Sequence, residues 1–223
     1  MLARLLYRDG LMLVVDKPAG LPVHRGPKGG NALEDYFDAL RFGLPRPPAL
    51  AHRLDRDTTG CLVLGRHRKA LALLGKLFKQ GRVGKCYWAV VEGGPESNEG
   101  RIDIPLAKRD DSRGWWMKAD SHGLPSASTW KVLGRGPDIT WLALEPLTGR
   151  THQLRVHCAE MGWPVVGDSI YGNAARLSGP TLHLHSREVT VPISKNKPPV
   201  KVTAPVPESM REKLIACSWQ ADQ

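Results

Sequence analysis

The spacing of hydrophobic residues along the chain changes near residue 83. Before this point, residues 11–15 and 61–64 are continuous apolar runs, which are typical of buried strands. Helical spacing follows each run, so we expect a helix over 32–42, capped by Asn31, and a second over 67–80. The first helix is expected to bury one face, which is made of Leu33, Tyr36, Phe37 and Leu40.

Beyond residue 83 the chain is rich in short strands. Strands are expected over 83–92, 101–106, 127–133, 139–145 and 181–191, separated by Gly, Pro and Asp. Two further helices are expected, one over 151–162 with Leu154, Cys158 and Met161 on its apolar side, and one over 208–217. Successive strand pairs with segregated helices predict an α+β fold with a mostly antiparallel central sheet and flanking helices.

The composition is that of a globular protein with an excess of positive charge. The 223 residues are 41% hydrophobic, which is enough for a sizeable core. Lys and Arg number 32 against 22 Asp and Glu, so the formal net charge is +10, which favours a polyanionic partner. We predict no basic amphipathic helix, the feature that binds anionic membrane surfaces, and therefore no membrane partner.

The four cysteines, Cys61, Cys86, Cys158 and Cys217, are far apart in the sequence. No Cys-x-x-Cys pair indicates a zinc site or a disulfide framework, so a reducing compartment is expected. No apolar run approaches the ~20 residues of a membrane span, and the first residues do not resemble a signal peptide. These features predict a cytoplasmic protein.

Residues 52–60, His-Arg-Leu-Asp-Arg-Asp-Thr-Thr-Gly, form a polar segment directly before the apolar run 61–64. A carboxylate between guanidinium groups stays ionised, since an opposite charge at ~4–6 Å lowers its pKa. Such a carboxylate serves as a nucleophile or a general base. In the alternative interpretation it only accepts hydrogen bonds from the backbone amides of a turn. Local chemistry leaves both interpretations open.

Four segments together resemble the RluA family of RNA pseudouridine synthases in order and spacing. The segment 52–60 resembles the catalytic motif of that family, and 16–21, Asp-Lys-Pro-Ala-Gly-Leu, resembles its N-terminal turn. The segment 85–93 resembles its tyrosine strand, and Gly-Arg-Thr-His-Gln-Leu-Arg-Val-His at 149–157, with Gly167-Asp168 after it, resembles its arginine motif. The resemblance covers nearly the whole chain.

The resemblance implies an RNA-modifying isomerase that needs neither a cofactor nor a metal. Asp55 would be the catalytic carboxylate, Tyr87 would stack on the uracil, and Arg155 would hold the carboxylate with its guanidinium fork. The family pattern implies a single catalytic domain over 1–223, with two halves around a central RNA-binding cleft and no separate N-terminal RNA-binding module. A structured tRNA or ribosomal RNA stem-loop would be the partner, without an obligatory protein partner, and we expect a monomer.

Four more residues are expected to bind the substrate. Arg53 would fill the gap that a flipped uridine leaves in the RNA stack, and Leu154 would contact the base. Arg150 would bind a phosphate near a helix N-terminus, and Lys85 would support a phosphate or a buried acid.

Several of these roles have a structural alternative. Arg53 would then pair with Asp55 or Asp57, Leu154 would be an ordinary core residue, and Tyr87 would be a half-buried strand residue. Asp57 is expected to be a turn or surface residue.

Other functions fit only part of the pattern. A non-catalytic RNA-binding protein that retains the fold would tolerate the loss of Asp55, Tyr87 or Arg155. A glycosidase-like hydrolase would need a second acid, for which Asp57 is the candidate. His183 and His185 alternate along one predicted strand, but no nearby Cys or carboxylate completes a metal-binding set.

Overall fold

The computed structural model describes residues 1–26, 29–110, 116–176, 178–194 and 196–220. In chain order the strands of these residues are β1 (Leu5–Arg8), β2 (Met12–Lys17), β3 (Ala49–Leu50), β4 (Thr59–Gly65), β5 (Gly84–Glu92), β6 (Glu99–Asp103), β7 (Leu106–Lys108), β8 (Met117–Ala119), β9 (Ala127–Gly136), β10 (Ile139–Pro146), β11 (Leu184–Val191) and β12 (Val200–Thr203). The α-helices are α1 (Arg68–Lys79), α2 (Gln153–Glu160) and α3 (Glu208–Ala216), and 3₁₀ helices cover Leu2–Arg4 and Leu33–Leu40.

Contacts divide the chain into two compact units, the first of which contains Met1–Lys85 and Ser186–Pro205. Its strands β1, β2 and β4 form antiparallel pairs, and β12 pairs with β11 in the same way. Every residue of β4 is buried, and α1 covers it. Gly65 permits this close approach, since a Cβ at that position would lie 2.8 Å from the Cα of Leu71.

The second unit contains Cys86–His185 and Val206–Gln223. Its strands lie in the order β5-β10-β9-β6, and each neighbouring pair is antiparallel. Helix α3 closes one core cluster, in which Met210 and Leu214 pack with Val90 and Trp141. The hairpin of β7 and β8 packs on α2, so this unit holds the segment that carries Arg155.

The predicted fold class is confirmed, because the described strand pairs are antiparallel and the helices lie between groups of strands. The four helices expected near 32–42, 67–80, 151–162 and 208–217 all occur as helical segments. Four short strands were not predicted, because they are too short to show an alternating pattern: β3, β7, β8 and β12.

The prediction for residues 32–42 was wrong in three respects. The segment is a 3₁₀ helix over Leu33–Leu40, and it ends where Phe42 takes a positive φ of 45°. Asn31 is not its cap, because the Asp35 carboxylate accepts the hydrogen bond of the Ala32 amide at 2.9 Å. The side chain of Tyr36, expected inside, is exposed.

Met161 also departs from its expected place. Helix α2 ends at Glu160, so Met161 lies beyond the last helical turn and is exposed rather than part of the apolar side. Within the described ranges, no helix is both long enough and apolar enough to cross a membrane.

Candidate active site

Asp55 begins a tight turn at the head of the buried strand β4. The carbonyl of Asp55 accepts a hydrogen bond from the Thr58 amide at 3.2 Å, which closes the turn. Leu54, just before it, is buried, whereas the side chain of Asp55 is half-buried. The turn therefore presents a carboxylate on a backbone that is anchored on both sides.

Lys17, at the end of β2, supports this turn from within the fold. Its side chain is fully buried, and its Nζ donates to the carbonyls of Arg56 at 2.7 Å, Thr58 at 2.9 Å and Pro18 at 2.8 Å. Three acceptors match the three donors of an ammonium group. Burial lowers the pKa of Lys17 to about 8, although the charges of Asp57 and Asp55 act in the opposite direction.

The buried ammonium of Lys17 leads to a testable pH dependence of stability. Between about 8 and the ordinary value of 10.5 the unfolded chain binds more protons at this side chain than the folded chain does. The free energy of unfolding of the wild type should therefore rise with pH across this window, relative to that of Lys17→Met, by at most about 1.4 kcal/mol per pH unit. Urea unfolding of both proteins from about pH 7 to about pH 10 measures this difference.

Lys69→Met serves as the control, because the Lys69 side chain is exposed on α1. The difference in free energy of unfolding between the wild type and Lys69→Met should not rise with pH as the difference for Lys17→Met does. A Lys17→Met difference that stays constant over the whole pH range would contradict the assignment of a buried charge at this position.

His52 fixes the other end of the segment 52–60. Its Nε2 accepts the amide hydrogen of Val63 in β4 at 3.0 Å, and its ring stacks on that of Phe78 in α1 with 4.4 Å between centroids. Burial lowers the pKa of His52 to about 3, so the ring is neutral at physiological pH. His52 thus ties the segment that leads to Asp55 to both β4 and α1.

Asp57 and Arg53, two charged residues near Asp55, differ in their contacts. Asp57 pairs with Arg56 at the exposed tip of the turn, with 3.0 Å between the Arg56 Nε and Asp57 Oδ1, as expected of a turn or surface residue. Arg53 is exposed and makes no ion pair with any residue that the structure describes. The alternative in which Arg53 pairs with Asp55 or Asp57 is therefore wrong.

Arg155, on α2, makes a bidentate ion pair with Asp168. The Nε of Arg155 donates to Oδ2 of Asp168 and its Nη2 donates to Oδ1, both at 2.7 Å. The two side chains are only 6% and 0% exposed. Burial alone raises the pKa of Asp168, but the guanidinium of Arg155 and the amides of Tyr171 and Ile170 outweigh it, so the pKa lies below its usual range.

Tyr171 completes the environment of this ion pair. The guanidinium of Arg155 lies over its ring, 5.1 Å from the centroid, a cation–π contact. The Tyr171 hydroxyl accepts the amide hydrogen of Met117 at 2.9 Å and lies 2.7 Å from Nδ1 of His152. The guanidinium of Arg155 is thus fixed at one edge and on one face.

The other four residues with predicted roles in the second unit and in β5 differ in burial and in contacts. Tyr87 is buried in β5, paired with Leu144 of β10. Leu154 is buried on α2, and the Nε of Arg150 donates to the carbonyl of Pro125 at 3.1 Å. Burial lowers the pKa of Lys85.

The predicted site residues are divided between the two units. Three lie in the first unit, namely Asp55, Arg53 and Lys85. Four lie in the second unit, namely Tyr87, Leu154, Arg150 and Arg155. In the second unit, Arg155 pairs with Asp168. In the first unit, Lys17 binds carbonyls of the turn that Asp55 begins.

No role was predicted for Lys17, Asp168, Tyr171 or His152. The structure places Lys17 beneath the Asp55 turn and the other three around Arg155. The signal was present in part, because Lys17 and Asp168 fall within segments that carry the family resemblance. A buried lysine and a buried aspartate within such segments are candidates for support of a reactive group.

Known proteins of one kind are similar to this chain in sequence and in structure. The family model described as RNA pseudouridylate synthase matches residues 11–160. An uncharacterized RNA pseudouridine synthase of Zymomonas mobilis is 44% identical over 213 residues, which cover 94% of this chain and 96% of that protein. Ribosomal large subunit pseudouridine synthase C of Vibrio vulnificus is 33% identical over 220 residues, which cover 95% of this chain and 68% of that protein. The structure of human RNA pseudouridylate synthase domain containing 4 matches with a TM-score of 0.84 and 25% identity, over 100% of this chain and 95% of that chain.

Proposed function

The chain belongs to the RNA pseudouridine synthases of the RluA type, which are isomerases, and on this premise we propose that Asp55 is the carboxylate with which it converts specific uridines of structured RNA to pseudouridine. The observation that carries the proposal is the position of Asp55. It lies half-buried at the head of a buried strand, on a turn whose carbonyls are bound by the Lys17 ammonium. A carboxylate held in this way has little orientational freedom left to lose when it reacts.

The reaction rearranges bonds without consuming water or an oxidant. The N1–C1′ bond of the uridine breaks, a C1′–C5 bond forms, the C5 hydrogen leaves as a proton, and N1 gains a proton. Asp55 is the group that reacts with the uridine, as a nucleophile or as a base. Tyr87 stacks on the uracil while it is detached from the sugar.

Arg155 supplies the cation that the reaction needs. A guanidinium whose Nε and Nη2 are bound by Asp168 and whose face lies on Tyr171 cannot rotate freely. Preorganised charges stabilise a developing negative charge without reorganisation at the moment of reaction. Asp168 is therefore a positioning residue for Arg155 in this proposal.

The proposed substrate is ribosomal RNA or tRNA in a stem-loop, and the proposed compartment is the cytoplasm. Ribosomal RNA is favoured by the name of the Vibrio vulnificus relative, a ribosomal large subunit enzyme. The charge of +10 suits any structured RNA. The four cysteines are far apart in the sequence, a spacing that favours a reducing compartment.

Pseudouridine mapping of total RNA from cells with and without the gene tests the function directly. We expect one or a few uridines in stem-loops to lose the modification in the deletion strain and to regain it with the purified protein in vitro. Unchanged RNA that the protein nevertheless binds would indicate a non-catalytic RNA-binding protein that retains the fold. Release of free uracil would indicate a hydrolase instead.

A further inference from the structure

The positive charge of the chain is concentrated in one segment. Between Thr58 and Val91 there are seven Lys or Arg residues and no Asp or Glu, so this segment carries +7 of the formal +10. Most of it is α1 with its flanking turns. Solubility alone does not require such clustering, because charges of both signs spread over the surface serve it equally well.

Four of these charges form one exposed face of α1, which we call the α1 basic face: Arg68, Lys69, Lys76 and Lys79. At 3.6 residues per turn they fall within about 100° of the helix circumference, on the side opposite the buried residues Ala70, Leu74 and Leu77. The helix of 12 residues is about 18 Å long. No ion pair involves any of the four within the part of the chain that the structure describes.

The α1 basic face costs the helix stability. Arg68 and Lys69 lie in the first turn, which holds no acidic residue, and positive charge there opposes the helix dipole. Lys76 and Lys79 are favoured by the dipole at the other end but repel each other at a spacing of three residues. A face that weakens its own helix is better explained by a ligand than by folding.

The position of α1 brings the last turn of this helix close to the segment that carries Asp55. Phe78, in the last turn of α1, stacks on His52 at 4.4 Å. Asp55 follows His52 by three residues, so their Cα atoms are at most about 11 Å apart. An RNA that reaches Asp55 therefore lies close to the last turn of α1, which carries Lys76 and Lys79.

We propose that the α1 basic face binds backbone phosphates of the substrate RNA, in the stem next to the loop that carries the target uridine. This inference rests on the proposed function for the identity of the RNA. An anionic membrane is the other polyanionic surface that a basic amphipathic helix can bind. The prediction that the chain has no basic amphipathic helix was wrong, but the apolar side of α1 lies in the protein core with Leu74 and Leu77. Only its charged side is available, and that side suits phosphates rather than insertion among lipids.

The test compares two variants with the same loss of charge. One carries Arg68→Gln, Lys69→Gln, Lys76→Gln and Lys79→Gln, which keep good helix formers in α1. The control carries Arg46→Gln, Lys131→Gln, Lys201→Gln and Arg211→Gln, which replace exposed side chains outside α1. The probe is a fluorescently labelled RNA hairpin with a uridine-rich loop, titrated at several salt concentrations.

We expect the α1 variant to bind the hairpin at least about tenfold more weakly and to lose roughly 3 from the slope of log affinity against log salt, at about 0.7–0.9 per phosphate contact. The control should lose less than about 1 from that slope. Single-turnover pseudouridine formation at saturating enzyme should be unchanged in the α1 variant, because the reacting groups are intact.

Equal losses of affinity and slope in both variants would overturn the proposal. It would also be overturned if the α1 variant bound the hairpin normally but no longer sedimented with phosphatidylserine vesicles that retain the wild type. If the wild type formed no pseudouridine, the proposed function would fail, whereas the binding comparison would still decide whether the α1 basic face contacts RNA.

Discussion

Replacement of Asp55 by Asn is expected to abolish pseudouridine formation and to leave RNA binding nearly unchanged. Asn has the shape of Asp but is neither a base nor a nucleophile of comparable strength, so turnover should fall by at least about 10³-fold. Affinity rests mainly on Lys and Arg contacts to phosphates, so the dissociation constant should change by less than about threefold. The turn itself should persist, because it is closed by the Asp55 carbonyl and the Thr58 amide.

Asp57→Asn is the matched control for this prediction. Asp57 lies two residues away and pairs with Arg56 at the exposed tip of the turn, so its loss should leave the single-turnover rate nearly unchanged. Nucleoside analysis of a modified RNA hairpin measures both variants. An active Asp55→Asn would refute the assignment, and an inactive Asp57→Asn beside an active Asp55→Asn would move it to Asp57.

Disruption of the Arg155–Asp168 pair should have the second large effect. Arg155→Lys retains the positive charge but loses the two parallel hydrogen bonds from Nε and Nη2. We expect turnover to fall by at least about 10²-fold, with little change in RNA affinity, because a charge that is no longer oriented stabilises the reaction poorly. Arg150→Lys is the control, and its activity should be nearly normal. The opposite result in this pair would exchange the roles of the two arginines.

Asp168→Asn tests the same pair from the other side and through stability. A buried pair that loses one partner leaves an uncompensated charge, which costs about 3–5 kcal/mol. The pKa of Asp168 is depressed in the folded protein, so its contribution is present above the ordinary value near pH 4 and is lost as the pH falls through the folded value. Urea unfolding should therefore show a wild-type advantage at about pH 7 that shrinks in acid. An equal stability of the two proteins at neutral pH would contradict the role of the pair.

Tyr171→Phe separates the effect of the hydroxyl group from that of the ring. This variant keeps the ring beneath Arg155 but loses the hydrogen bonds to Met117 and His152. If the ring contact orients Arg155, the single-turnover rate should fall less in Tyr171→Phe than in Arg155→Lys.

Local sequence patterns were sufficient for the elements with strong periodicity. The apolar run 61–64 predicted β4, and the helical spacing of Leu74 and Leu77 predicted α1. Burial of a whole strand or of one helix face gives a pattern of apolar positions that a short stretch of sequence already shows. The 3₁₀ helix Leu33–Leu40 was predicted as an α-helix with the wrong cap. The side chain that takes up the free amide there, Asp35, lies inside the helical segment rather than before it.

The candidate site divides in the same way. The resemblance of 52–60 and 149–157 to family motifs was enough to select Asp55 and Arg155, since those residues lie within short continuous strings. The contacts that hold these two residues come from other parts of the chain. Lys17 reaches carbonyls that lie 39 and 41 residues further along the chain, and Asp168 lies 13 residues beyond Arg155.

The charge of α1 was likewise visible in the sequence, but the exposed face that these charges form was not. Net charge and helical spacing follow from composition and order alone. Which side of the helix is free for a ligand depends on what the other side packs against. In the folded protein Leu74 and Leu77 pack in the core beside β4, so the charged side stays exposed. The sequence by itself thus determined the strongly periodic elements and the family, and it selected Asp55 and Arg155 as candidates for the reaction. Only the tertiary structure decided which buried charges orient those residues, because a buried ion pair or a buried ammonium is stable only where distant parts of the chain supply its partners.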